Sequence, residues 1–310
     1  MRPPVVIAVV TYNSAHDLPG LIDGLPAALA GVSSWRVVVA DNASSDGSAA
    51  VARKLLPTAE VVETGGNLGY AAGVNACMAR AKDGEALFVL NADVRLEPGS
   101  VARLLDAFED PRVGVAVPEV TRPSGEPEPT LRRRPTPLRV LGDSVLGRRA
   151  VAFPLLSEEI PVGSHEQPDW ANGATLLVSP RVWPRVGPWR AELFLYSEEV
   201  DYCLRVKDAG WSIRQVKGAR AVHRGGEVAS APALWAQLVT NRVVHAARWN
   251  GAVGARIVWG ALVAAQVARL PLRRGTHLAA LRALLSGRQA LLAGRPTNPA
   301  APSDFDGERR

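Results

Sequence analysis

The sequence predicts an α/β protein: a mostly parallel sheet flanked by helices, with a C-terminal helical extension. Three observations predict it. Through the first 120 residues, short β-branched apolar runs alternate with stretches of helical period, the signature of strand–helix–strand units. Several of these runs are apolar without alternation, as in strands covered on both faces. Beyond about Ala231 the period is helical throughout.

The elements follow in order. The first strand is expected at Val5 to Thr11, where a six-residue apolar run enters directly from Met1-Arg2-Pro3-Pro4. That run is shorter than the core of a signal peptide, and no signal peptide is expected. A helix at Leu18 to Leu29 precedes a strand at Trp35 to Ala40. A helix at Ser48 to Leu56 then leads to a strand at Glu60 to Glu63, and a helix at Tyr70 to Ala81 to a strand at Ala86 to Leu90. The alternation closes with a helix at Ser100 to Phe108 and a strand at Val113 to Val117. From Thr121 to Pro168 the texture changes to Pro, Gly, Ser and clustered Arg without period, which reads as a long excursion over the sheet. Order returns at Trp170-Ala171-Asn172-Gly173-Ala174, followed by a buried strand at Thr175 to Val178. A helix at Glu198 to Ala209, a short strand at Ile213 to Val216 and another ending at His223 complete this part. Helices then carry Leu234, Leu238 and Val239, and later Ile257, Leu262 and Val267, before a Pro-rich tail expected to be disordered.

Composition narrows the classes. Hydrophobic residues are 47% and charged residues 21% of the 310, enough for a sizeable core and too little charge for a disordered chain. Only Cys77 and Cys203 occur, in contexts that match neither a disulfide framework nor a thiolate metal site and that favour a reducing compartment. The net charge of +6 hides an asymmetry: residues 1–213 hold 21 Lys and Arg against 26 Asp and Glu, whereas residues 214–310 hold 15 against 4. A basic final third suits nucleic acid, anionic lipid or a phosphorylated ligand. Nucleic acid is not expected, because Trp235, Trp249 and Trp259 fall among apolar helical positions instead of interleaving with the cations. The longest uncharged stretch of the C-terminal part, Ile257 to Ala268, has 12 residues where a membrane span needs about 20, so no spanning helix is expected.

Ligands of parallel sheets gather at the carboxyl ends of the strands, and each strand here ends in a polar cluster. The clusters are Thr11-Tyr12-Asn13, then Asp41-Asn42-Ala43-Ser44, then Gly65-Gly66-Asn67-Leu68-Gly69, then Asn91-Ala92-Asp93. The glycine cluster lacks the G-x-G-x-x-G spacing of a dinucleotide site, which sets a nicotinamide enzyme aside. Glu198 and Glu199 begin a helix behind Ser197, where acids complement the helix dipole and Ser can cap. Asp201 and Arg205, at i and i+4, can pair.

Taken in order, Val9-Val10-Thr11-Tyr12-Asn13, Asp41 to Gly47, Asn67-Leu68-Gly69-Tyr70 with Gly73 and Asn75, Leu90 to Asp93, Trp170 with Gly173-Ala174, and Phe194 through Glu198-Glu199 to Arg205 resemble the inverting family 2 glycosyltransferases of GT-A fold, in their bacterial rhamnosyltransferase-like branch. The resemblance covers roughly residues 4–225. It implies a glycosyltransferase domain at 1–230, with a nucleotide-sugar part at about 1–120 and an acceptor part at about 165–230, then a helical extension at 231–295 and a tail at 296–310.

The resemblance also implies roles. Thr11, Tyr12, Asn13, Asp41 and Asn42 would line the nucleobase pocket of a dTDP- or UDP-linked donor, with Asp41 accepting the base N3–H; a strand-end Asp that caps the next turn is the alternative. Asn67, Gly69, Tyr70 and Asn75 would approach the diphosphate, or simply make a strand-to-helix turn. Asn91 stands where the family usually has a carboxylate and would hydrogen-bond sugar or ribose. Asp93 would hold Mg2+ or Mn2+, with His223 as a second ligand or as a structural histidine. Trp170, Gly173 and Ala174, with Glu198, would shape the acceptor side. The family's general base, the second acid of a pair, maps to Glu199, with Glu198 as the alternative. The expected acceptor is a glycan or a polyprenyl-diphosphate-linked sugar in envelope glycoconjugate synthesis, handled by a cytoplasmic protein whose C-terminal helices dock on the inner membrane face or meet in a homodimer. A non-catalytic sugar-nucleotide or glycan-binding protein on the same fold is the rival reading.

Overall fold

A computed structural model describes residues 2–225 and 231–299. Two compact units emerge from the contacts: described residues up to Leu131, Val162–Ala191 and Glu199–Gly225 in one, and Arg132–Pro161, Glu192–Glu198 and residues 231–299 in the other.

The first unit is built on an eight-stranded sheet. Its strands are β1 (Val5–Thr11), β2 (Trp35–Asp41), β3 (Glu60–Glu63), β4 (Ala86–Leu90), β5 (Val94–Leu96), β6 (Val113–Thr121), β9 (Thr175–Val178) and β10 (Ser212–His223). The short strands β7 (Leu131–Arg132) and β8 (Trp170–Ala171) lie outside it. The order is β3-β2-β1-β4-β9-β6-β10-β5. The first four neighbours are parallel, β9 runs antiparallel to both β4 and β6, and β5 runs antiparallel to β10. Strand and helix alternate as the sequence predicts, through α1 (Leu18–Ala28), α2 (Ser48–Leu55), α3 (Tyr70–Met78) and α4 (Ser100–Asp106).

The uninterrupted apolar run of β1 is explained by cover on both faces: all seven residues are buried. Val5, Ile7 and Val9 share a core with Leu21 and Leu25 of α1 and Leu104 of α4. Val10, on the opposite face of the pleat, meets α3, where a Cβ on Gly73 would stand 2.5 Å from Val10 Cγ1. Glycine at position 73 thus lets the helix approach the sheet closely. Cys77 lies on the same helix; burial pushes its thiol up to about 12, as it does that of Cys203, so neither is a thiolate nucleophile.

Two expectations are corrected here. The two short strands ending at Val216 and His223 are one strand, β10, whose register against β6 shifts between Val216 and Arg220. The excursion at 121–168 is also not structureless. It holds α5 (Pro137–Leu146), started by Pro137 and capped by the Thr136 hydroxyl, which accepts from Arg139 N–H at 3.3 Å.

The second unit joins α5 to α8 (Pro232–Trp249), α9 (Gly251–Arg269), α10 (Arg274–Ser286) and α11 (Arg288–Leu292). Val140 and Leu193 pack in one core with Val239, Val243, Val258 and Leu284. The tryptophans read as apolar positions keep their indole N–H groups bonded inside this bundle, Trp235 to Gln266 Oε1 and Trp259 to Leu284 O, both at 2.9 Å. At 19 residues and a mean hydropathy of 1.4, α9 is long and apolar enough to cross a membrane, which the count of uncharged residues missed because Arg256 interrupts it. A third of that window is buried. Of the tail expected at 296–310, residues 300–310 lie outside the described residues.

Candidate active site

The remaining helices of the first unit, α6 (Trp183–Val186) and most of α7 (Glu198–Asp208), complete the frame for the strand-end clusters. The loops after β1 and β2 are zipped together. Asp41 Oδ1 accepts from the hydroxyls of Thr11 at 2.7 Å and Ser44 at 2.6 Å, and Oδ2 accepts from Ser44 N–H at 3.0 Å. Three of its roughly four acceptor positions are thereby used, two by its own loop, the capping arrangement expected as the alternative, and one by the end of β1. Asn13, at φ 52°, accepts from Ser45 N–H at 2.9 Å. Tyr12 beside it is half-buried. Asn42 donates to Gly69 O at 3.0 Å, and Asn67 Oδ1 accepts from Gly69 N–H at 3.2 Å, which ties the third loop to the second.

At the centre, Tyr70 OH donates to Asn91 Oδ1 at 2.7 Å and lies 3.2 Å from Gly173 O. Asn91 N–H donates to Ala174 O at 2.9 Å. The Ala174 side chain belongs to the sheet core, so its part here is played by backbone. Asn75 does not reach this cluster: its amide clamps Trp189, donating to Trp189 O and accepting from Trp189 N–H, both at 2.8 Å. Trp189 in turn stacks on Tyr202 at 4.8 Å and meets the edge of Tyr70 at 6.4 Å.

Asp93 and His223, separated by 130 positions in sequence, are brought together because β5 pairs with the end of β10, His223 opposite Val94. His223 Nε2 lies 3.5 Å from Asp93 Oδ2, which also accepts from Gly225 N–H at 3.1 Å. On its other side, His223 Nδ1 lies 3.3 Å from Glu128 Oε2. Burial disfavours the imidazolium, but the hydrogen bond to Glu128 and the charges of Asp93 and Glu128 outweigh it, and the pKa sits above its ordinary value. Sequence reasoning missed Glu128. Its signal was the turn dipeptide Ser124-Gly125, which folds the chain back on β6 so that Glu128 N–H donates to Val120 O at 2.8 Å. Among the described residues no group of three or more His, Cys, Asp or Glu is arranged to hold a metal ion. The pair Asp93 and His223 still fits a divalent ion completed by ligand oxygens. It offers one carboxylate and one imidazole, and a proton on Nδ1 directed at Glu128 leaves the Nε2 lone pair facing Asp93.

The acids of α7 divide by environment. Asp201 is buried and bonded to Arg190 and Arg205, both at 2.9 Å, which makes it structural, as its spacing suggested. Glu198 is buried, whereas Glu199 is half-buried. Glu199 lies against the turn after β8, where a Cβ on Gly173 would stand 3.1 Å from Glu199 Cβ, so glycine lets the two approach. Trp170, half-buried, enters the same turn. The start of α7 differs from the capped start expected, because Ser197 has φ 71°, outside the extended conformation of an N-cap.

Residues 6–156 match the model of glycosyl transferase family 2. The chain is also 32% identical over 243 residues to an N-acetylglucosaminyl-diphospho-decaprenol L-rhamnosyltransferase of Mycobacterium tuberculosis, covering 72% of this chain and 76% of that one. The chain belongs to glycosyl transferase family 2. It is therefore a glycosyltransferase of rhamnosyltransferase-like sequence. A low-salt glycan biosynthesis hexosyltransferase, Agl10, of Haloferax volcanii is 25% identical over 230 residues, covering 72% of this chain and 68% of that one. Among solved structures, a mannosyltransferase of Pyrobaculum calidifontis in complex with GDP-Man and Mn2+ superposes with a TM-score of 0.59 at 16% identity, covering 94% of this chain and 88% of that one. GalNAc-T7 with UDP, GalNAc and Mn2+ gives 0.57 at 13%, covering 91% and 54%. These likenesses establish the GT-A fold of the sheet and its flanking helices.

Proposed function

We propose that this glycosyltransferase moves L-rhamnose, with inversion, from a dTDP-linked donor to a hydroxyl of a sugar on a polyprenyl diphosphate, at the cytoplasmic face of the membrane carrying that lipid. The observation that carries the reading is the 32% identity, across most of both chains, to a rhamnosyltransferase acting on a diphospho-decaprenol sugar. The strand-end loops around Thr11, Asp41 and Asn42 receive the nucleoside, and Asn91, oriented by Tyr70, contacts donor sugar or ribose.

In the transfer, the acceptor oxygen forms a bond to the anomeric carbon as that carbon's bond to the diphosphate breaks, and the bonding pair leaves with the diphosphate. Glu199 takes the acceptor proton, a contribution of about 10²- to 10⁴-fold. Its place beside Gly173 supports it over buried Glu198. Asp93 and His223 would hold Mg2+ or Mn2+, which when bound offsets the charge growing on the leaving diphosphate. The residues of the chain fix that place through Glu128 and Gly225.

Incubation with dTDP-rhamnose and a short-chain prenyl-diphosphate N-acetylglucosamine tests the reading by mass spectrometry. A product heavier by one deoxyhexose is expected; transfer from a UDP-hexose and none from dTDP-rhamnose would overturn the donor assignment.

A further inference from the structure

We infer that the second unit carries a docking face for a bilayer bearing anionic lipids, formed by α5, α9 and the turns that follow them. In α5, Leu138, Leu141 and Val145 recur at i, i+3 and i+7 and are exposed, Val145 at 72%, while Val140 and Gly142 turn inward. An exposed helix face normally carries charge; this one is apolar. The outer side of α9 repeats the pattern, with Val253, Ile257 and Val267 exposed and Val258, Leu262 and Ala265 buried.

The two faces adjoin. At their N-terminal ends a Cβ on Gly254 would stand 3.2 Å from Pro137 Cγ, and at their C-terminal ends Arg269 donates to Ser144 O at 2.8 Å. The helices therefore run side by side in one direction. Arg139 donates to Pro154 O at 3.0 Å and so folds the exposed Phe153 and Leu155 back toward α5.

Charge selects the occupant. Just beyond the C-terminal ends of the two helices lie exposed Arg148 and Arg149 on one chain segment and exposed Leu272, Arg273 and Arg274 on the other. No Asp or Glu occurs from 231 to 299. The carboxylates of residues 132–161 are turned to partners of their own: Asp143 accepts from Glu158 N–H, Glu158 pairs with Arg242, and Glu159 with Arg132. An apolar face with a cationic rim at Arg148, Arg149 and Arg274 matches the acyl boundary and headgroups of an anionic bilayer. A second copy would set two rims of one sign together. With Val258 and Leu262 buried among the other helices and Arg256 inside its apolar window, α9 lies in the interface instead of crossing it.

Sedimentation of the full chain with vesicles of neutral phosphatidylcholine, with and without phosphatidylglycerol, tests this at low and high salt. Binding to the anionic vesicles alone, released by salt, is expected. Arg148→Glu with Arg149→Glu should weaken it at least about tenfold, and Leu141→Ser with Val145→Ser should weaken it comparably. Circular dichroism melts check that these exposed substitutions leave the fold intact. Transfer to a water-soluble acceptor analogue should be unchanged in all variants, so that failure of docking and failure of the rhamnosyltransferase reading are read separately. Equal binding to both vesicles, no binding, resistance to alkaline carbonate as for a spanning helix, or self-association protecting Val145 without lipid would each overturn the docking face.

Discussion

Two carboxylates in one chain turn, Glu198 and Glu199, cannot be told apart by sequence, yet their surroundings differ. Glu198 is buried at 3% exposure, and Glu199 lies half-buried beside Gly173. Glu199→Gln is expected to lower kcat by at least about a hundredfold while leaving donor affinity, measured by calorimetry, within about twofold. Glu198→Gln should cost less; the reverse order would move the base to Glu198. At the other end of the site, Asp93→Ala should abolish transfer, as should removal of divalent ions with EDTA. Activity surviving both treatments would remove the metal from the mechanism. Glu128 acts through the histidine, so it is a positioning residue. Glu128→Gln should raise the Mn2+ concentration for half-maximal rate by about 10- to 100-fold with kcat at saturating Mn2+ largely kept. A drop in kcat at every Mn2+ concentration would instead assign Glu128 to the reaction itself.

At the scale of elements, the strained approach to α7 carries the most information. Phe194, Tyr196 and Ser197 all have positive φ, at 62°, 68° and 71°, each costing on the order of 1–3 kcal/mol unless the surroundings impose it. The side-chain amide of Asn241 on α8 imposes it: its two N–H donors are shared among Leu193 O, Leu195 O and Tyr196 O, which lie 2.7, 3.0 and 2.8 Å from Nδ2. Asn241→Leu leaves those carbonyls without this donor and should cost about 1–3 kcal/mol of stability. Because the same segment runs directly into Glu198 and Glu199, kcat should also fall with donor affinity kept; a lower melting temperature with kcat unchanged would confine the clamp to folding. No sequence pattern announces such a clamp, since its partners are backbone atoms some 45 positions away. What was legible had a local cause. Fully apolar strands such as Val5–Thr11 and the polar clusters at their ends follow from period and turn chemistry. α5 was hidden because Pro137, Arg139 and Gly142 break the helical pattern, and β10 was split because its bulge interrupts the run. His223 could be nominated, but its meeting with Asp93 depends on an antiparallel pairing that spacing cannot reveal.

For the whole molecule, the division into units argues against reading the C-terminal helices as an appendage to a complete domain. The second unit draws on three stretches of chain, and its core sets Val140 from the excursion and Leu193 from the approach to α7 against Val239, Val243, Val258 and Leu284. Each such side chain, fully buried, is worth about 1.5–3 kcal/mol relative to exposure, and domains keep only about 5–15 kcal/mol in total. A chain ending at Ser230 would leave residues 132–161 and 192–198 without that core. Glu158, now paired with Arg242 while buried, would lose its cation as well. The expected result is rapid proteolysis within 132–161, binding of a hydrophobic dye, and loss of donor binding through the unanchored start of α7. A chain ending at Ser230 that melts cooperatively within a few degrees of the full protein and binds donor equally well would show that the catalytic sheet carries the excursion by itself.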